Sequence, residues 1–212
     1  MRQQGRLLLC MALCTGALLL TSCQAPTNRA TESPGSGALT DIAPFVRQLP
    51  VLPMSEPMMV EFDLQPPPKN ADPTLFLGIR VNGEDGLKSL EAAEEIRNSG
   101  LKAQLLLKRV DLKGSVAVPL VAVESSVGAP ARISAIPATG HVVGGWLDEV
   151  DTLSMRSSGL ESAESHYTHL ALAWAQSVPP GKYQLSIRLI DPPANLVSTK
   201  AELLVAYRHK SK

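Results

Sequence analysis

The chain has 212 residues, 44% of them hydrophobic, with 20 basic against 20 acidic side chains and three cysteines. That length and apolar content suffice for a single domain with a sizeable core, and the balanced charge supplies no electrostatic footprint for nucleic acid. The cysteines are Cys10, Cys14 and Cys23, so from Gln24 onward there is no thiol for a disulfide or a thiolate metal site, and stability rests on the core.

At the N-terminus, Arg2 and Arg6 precede an apolar run from Leu7 to Leu20, and the small polar residues Thr21 and Ser22 precede Cys23. This order of charge, apolar run and small residues reads as a secretory signal, 1–22. The run is shorter than the roughly 20 residues a spanning helix needs. The residues Leu20-Thr21-Ser22-Cys23 resemble the lipobox of bacterial lipoproteins. That resemblance implies diacylation of the Cys23 sulfur, removal of the preceding peptide and acylation of the new N-terminus. Two or three acyl chains anchor stably, since each buried methylene contributes about 0.8 kcal/mol and a single chain is marginal. By resemblance to enterobacterial lipoproteins, Gln24 after the cysteine implies sorting to the outer membrane, with the domain on its periplasmic face. Removing Arg2 and Arg6 from the 20 basic residues leaves 18 against 20 acidic ones.

From Cys23 to about Thr40 the Pro, Thr, Ser, Gly and Ala composition describes a flexible tether, leaving 41–212 as the folded domain. Pro44, Pro50, Pro53 and Pro57 exclude a helix or central strand around Phe45 to Pro57 and predict an extended or edge segment, whose methionines could also dock a partner. Met58–Leu64 and Leu75–Asn82 alternate as strands, and Asn82-Gly83-Glu84-Asp85-Gly86 supplies turn residues. Leu87, Leu90, Ala93 and Ile96 recur at helical spacing, with Ser99-Gly100 closing the helix. Leu101–Val110 returns to strand, and Lys113-Gly114 turns the chain. Ser115–Val123 reads as one edge or bulged strand around Pro119. Short strands are expected between Glu124 and Gly145, and a further strand over Trp146–Met155.

Leu160–Gln176 fits either period two or a helical stripe. The short connection through Ser177-Val178-Pro179-Pro180-Gly181 into the next strand favours an antiparallel neighbour, hence a strand. At period two, His166, Thr168, Leu170, Leu172 and Trp174 share one face, and Tyr167, His169, Ala171, Ala173 and Ala175 share the other. In the following strand Tyr183, Leu185, Ile187 and Leu189 face inward. Asp191-Pro192-Pro193-Ala194-Asn195 is a turn, Ala201–Tyr207 a last strand, and Arg208 to Lys212 a solvated basic tail. The run from Val178 to Ile187 resembles the approach to a late strand in exported immunoglobulin-like and transthyretin-like sandwiches, where Pro-Gly turns and the tyrosine starts the strand. The whole plan is similar to proteobacterial lipoprotein families of unknown function. The fold expected is therefore mainly β: an antiparallel, immunoglobulin-like β-sandwich of about seven strands with one short inserted helix.

Candidate chemistry is sparse. His166 and His169, three apart on a strand, point to opposite faces and do not form a metal pair. Asp148, Glu149 and Asp151 lack the spacing of a calcium loop. There is no Gly-x-Ser-x-Gly elbow, no Ser-His-Asp grouping that the sequence can place in one cleft, and Gly140-His141-Val142-Val143-Gly144-Gly145 is too short for a phosphate loop. Trp146, beside a glycine pair, is the first binding candidate, and His141, Tyr167 and Asp148 are the others. No catalytic residue, metal or cofactor is assigned. The expected function is a non-enzymatic, lipid-anchored interaction module of adaptor, secretion-accessory or toxin-neutralising type, partnered by the membrane and another envelope protein. Its contacts are expected at Gly140 to Ser158 and Phe45 to Pro57. The alternatives are an envelope hydrolase or metal-dependent enzyme resting on His166, His169 and the acidic cluster, and a carrier of small ligands or lipids.

Overall fold

A computed structural model of the chain describes residues 40–50, 54–124 and 130–210. The expected signal, the lipidation site Cys23 and nearly all of the tether lie outside the described residues, as do 51–53 of the proline-rich segment and 211–212 of the tail. In chain order the described residues form β1 (Asp41–Ile42), β2 (Phe45–Gln48), β3 (Met58–Leu64), β4 (Ala71–Asn82), α1 (Gly86–Asn98), β5 (Lys102–Asp111), β6 (Gly114–Val118), β7 (Val121–Glu124), β8 (Arg132–Ala135), β9 (His141–Val143), β10 (Trp146–Leu147), α2 (Thr152–Ser157), β11 (Tyr167–Ala175), β12 (Gly181–Ile190), α3 (Ala194–Ser198) and β13 (Glu202–His209).

These strands build the expected antiparallel sandwich. One sheet runs β1-β3-β12-β5-β6, with β9 also on β5; the other runs β2-β13-β4-β11-β7-β8, with β10 on β11. The alternation in β12 is strict: Tyr183, Leu185, Ile187 and Leu189 are buried, and the strand lies between β3 and β5. Its one tyrosine, Tyr183, stacks on Phe62 with centroids 5.6 Å apart and donates its hydroxyl to the Pro179 carbonyl at 2.5 Å. A tyrosine closing back on the chain just upstream is the corner of immunoglobulin-like sandwiches, where the strand enters a new sheet. The central pairs β4–β11 and β5–β12 match the inner pairs of that fold. The first and last long strands are exchanged, β3 lying beside β12 and β13 beside β4.

Several expectations are corrected. The link from β11 to β12 does not join neighbours in one sheet; it crosses from the second sheet to the first. Ser115–Val123 is two strands, not one, because Pro119 cannot continue the ladder: β6 stays with β5, and β7 joins β11 in the other sheet. Trp146–Met155 is a two-residue strand followed by α2, whose first turn is capped by the Asp151 carboxylate accepting from Ser154 N at 3.0 Å. The turn after Asp191 contains α3. Three short helices and thirteen strands thus stand among the described residues, against one helix and about seven strands expected. In α1, Ala93 and Ile96 are buried as predicted but Leu87 and Leu90 are exposed. Ser89 takes the buried place, since its hydroxyl meets the Thr168 hydroxyl at 2.9 Å.

The central strands of the second sheet, β4, β11 and β13, are buried on both faces, which explains runs such as Leu75 to Val81 and Leu170 to Ala175 in which every residue is buried. Its inner face packs against the first sheet. Over its outer face lies a strap, residues 146–166: β10 pairs with β11, Val150 bridges to Arg208 on β13, and α2 follows. Val150, Met155 and Leu160 of the strap pack on Phe76, Ala171, Trp174, Leu204 and Ala206. Each such apolar side chain contributes about 1.5–3 kcal/mol when fully buried. Leu170 and Ala171 press so close to β4 that a Cβ on Gly78 would stand 2.3 Å from the Leu170 carbonyl oxygen. The register of β11 on β4 shifts between Ala171 and Ala173. This bulge overturns the expected face assignment: Trp174 joins Ala171 on the outer face, while Ala173 and Ala175 join Leu170 and Leu172 in the main core.

Candidate functional site

The polar side chains of the second sheet's outer face are arranged as locks on the strap. At one end Asp148 Oδ2 accepts from the Trp174 indole N–H at 2.7 Å and from Arg208 Nε at 2.8 Å. Its backbone N–H donates to the His169 carbonyl at 3.2 Å. One carboxylate thereby ties the strap to β11 and β13. The charge also serves the indole, a donor that burial would otherwise leave unsatisfied.

At the other end Arg80, buried on β4, donates through Nε to Glu202 at 2.8 Å and through Nη1 to the Leu160 carbonyl at 2.6 Å. Its guanidinium carbon lies 4.2 Å from the centroid of the Tyr167 ring. A buried cation is tolerated only with such pairing. His169 sits opposite Arg80 in the β4–β11 register, and its Nε2 is 2.9 Å from Glu161 Oε1 on the strap. Its ring meets the edge of Phe76 at 6.3 Å.

The expected site residues therefore divide. Trp146 and Asp148 come together with Trp174 and Arg208. Tyr167 lies at the far end of β11 with Arg80. His141 is exposed on β9, in the other sheet. His166 is exposed just before β11, whereas His169 is engaged by Glu161. Glu149 offers its carbonyl to His209 N, and Asp151 caps α2. Among the described residues, no three His, Cys, Asp or Glu side chains converge to hold a metal ion.

Beyond the strap the outer face of the second sheet continues over β7 and β8 without a cover among the described residues. There a groove of about 240 Å³ is lined by Trp146, Trp174, Val123, Ile133, Arg132 and Arg208. Ile133 is 66% exposed and Trp146 36%. Thr74 and Gln176 line it as well, so apolar and polar groups alternate around it, and two guanidinium groups border it.

Sequence reasoning missed Arg80, Glu161, Glu202 and Arg208. Arg80, between Ile79 and Val81, has the spacing of a solvent-facing position, and no local signal announces the strap that covers it. Arg208 read as part of a solvated tail. Asp151 three residues before Ser154, by contrast, is a capping signal open to reading.

The chain was compared with protein-family models, curated proteins and solved structures, and none matched.

Proposed function

We propose that this chain is a lipid-anchored protein of the bacterial outer membrane that acts as a non-enzymatic interaction module. The anchor reading rests on Arg2, Arg6, the apolar run Leu7 to Leu20 and Leu20-Thr21-Ser22-Cys23. The observation that carries the interaction reading is the division of labour on the second sheet's outer face. Side chains capable of acid–base chemistry, Asp148 and His169, are engaged by Trp174, Arg208 and Glu161. Among the described residues, the groove around Trp146 and Ile133 stands open. Apolar surface framed by arginine and tryptophan is the composition of protein-binding hot spots.

Two measurements test the two halves. Cells given labelled palmitate should label the wild-type chain and not Cys23→Ala; label persisting on the variant refutes the anchor. A photo-crosslinking residue placed at Ile133 of the full chain, in living cells, should trap the same protein reproducibly. Trp146→Ala should abolish that product, and an unchanged product moves the contact away from the groove.

A further inference from the structure

An end strand presents unpaired N–H and C=O groups to which another chain can add, and proteins defend such edges with brevity, charge, proline or bulges. Three of the four sheet ends are defended. Strand β1 has two residues; β2 has four, carries Arg47 held by Asp41 at 2.7 Å, and is bounded by Pro44 and Pro50; β8 has four and opens with Arg132. Strand β6, five residues closed by Pro119, has no such device within it. Its Gly-Ser-Val-Ala-Val sequence contains no charge and no proline, and it pairs with β5 without a break from Leu107↔Val118 to Asp111↔Gly114. Four of its five residues are exposed, Val116 at 63%. Among the described residues no strand pairs with its outer side.

The backbone there is already set for a partner. The two-residue loop Leu112-Lys113 makes Asp111 and Gly114 the closing hydrogen-bonded pair. Alternation along an antiparallel ladder then places Ser115 and Ala117 at positions that bond nothing on β5 and turn both N–H and C=O outward. The surroundings are cationic: Lys108 stands opposite Ala117, Arg109 opposite Val116, Lys113 forms the turn, and Lys182 lies opposite Val110. The hairpin's one acid, Asp111, accepts from Lys113 N at 2.7 Å. A second copy meeting this edge would set the same cations against each other, a like-charge arrangement that is unfavourable.

We propose that β6 receives an extended segment of a partner protein in which acidic and apolar residues alternate, adding a strand to the first sheet through Ser115 and Ala117. Main-chain bonds hold such a segment, and Lys108, Arg109 and Val116 select its side chains. This rests on the interaction-module reading and supplies the recognition mode that the reading lacks.

The test uses the full chain purified in detergent and synthetic eight-residue peptides alternating valine with glutamate or valine with lysine. The glutamate peptide should slow amide hydrogen exchange at Ser115 and Ala117 and bind about tenfold or more tightly than the lysine peptide. Ala117→Pro removes an outward N–H and no bond to β5, so it should abolish that binding while the melting temperature stays in place. Val116→Glu, a charge of the same sign as the peptide's glutamates, should weaken it in the same way and serves if the proline variant is unstable. The proposal is overturned if the glutamate peptide leaves both amides unprotected, or if the two peptides bind equally. It is equally overturned if both amides are protected without peptide, whether by a second copy, seen as dependence on protein concentration, or by the chain's own N-terminal residues. Loss of peptide binding with the Ile133 crosslink retained would sink this mode alone and leave the module reading standing.

Discussion

Asp148 and Trp174 are 26 residues apart in sequence, and the indole N–H of one meets the carboxylate of the other at 2.7 Å. Because Arg208 shares the same oxygen, this carboxylate is the point at which strap, β11 and β13 are joined. Asp148→Ala leaves an indole and a guanidinium without their acceptor and should cost about 2 kcal/mol. Asp148→Asn keeps an acceptor without the charge and should cost about half that. Urea unfolding followed by tryptophan fluorescence measures both, and equal, negligible losses would remove the lock from the account.

Gly78 faces Ala171 across β4 and β11. An alanine there meets the Leu170 oxygen at 2.3 Å, so the two strands must part. Overpacking of this kind costs about 1–3 kcal/mol, more than the roughly 0.4–1 kcal/mol that losing a glycine's unfolded freedom returns. Gly78→Ala should therefore lower the urea midpoint at constant slope.

The two histidines of the 166–169 pair should behave unlike each other. His169→Ala deprives the nearly buried Glu161 carboxylate of its partner and should cost about 1–2 kcal/mol. His166→Ala changes an exposed side chain and should stay within about 0.5 kcal/mol. Comparable losses in thermal melts of the two variants would contradict this assignment.

Tyr207 donates its hydroxyl to the Gln65 carbonyl at 2.6 Å, and burial, followed by the neighbouring Tyr183, pushes its pKa up to about 12. A folded-state value above the unfolded value near 10 means that the unfolded chain loses its proton first. Stability from this group is full below about pH 10 and is lost as pH rises toward 12. Tyr207→Phe should flatten that alkaline decline and lower stability at neutral pH, where the hydrogen bond is lost. A steepened alkaline limb in pH-dependent denaturation would contradict it.

The sandwich was legible because period-two patterns reflect a face against the core, as in Met58–Leu64, which forms β3 at the bounds read from the sequence. The first sheet, with one face turned to solvent, shows that alternation best. The central strands of the second sheet are covered twice, so β4 and β11 carry a continuous buried run in which Arg80 and Trp174 belong to a layer that local periodicity does not encode. The strap was illegible for the same reason: Val150, Met155 and Leu160 make no regular pattern, being spaced by contacts with Phe76 and Trp174 rather than by their own dihedral repeat. Of the site, the aromatic at Trp146 was open to reading beside its glycines. Its partners, drawn from β7, β8, β11 and β13, depended on topology.

Strand β13 lies between β2 and β4, matching Glu202–Val205 with Phe45–Gln48 on one side and Glu202–His209 with Ala71–Arg80 on the other. A chain that emerges N-terminus first therefore holds β2 and β4 without their shared partner until β13 has appeared. The second sheet closes only then, through contacts more than a hundred residues apart in sequence, the class of contact that makes folding slow. Vectorial delivery, from a ribosome or through a narrow pore, thus keeps the second sheet open until β13 has been delivered.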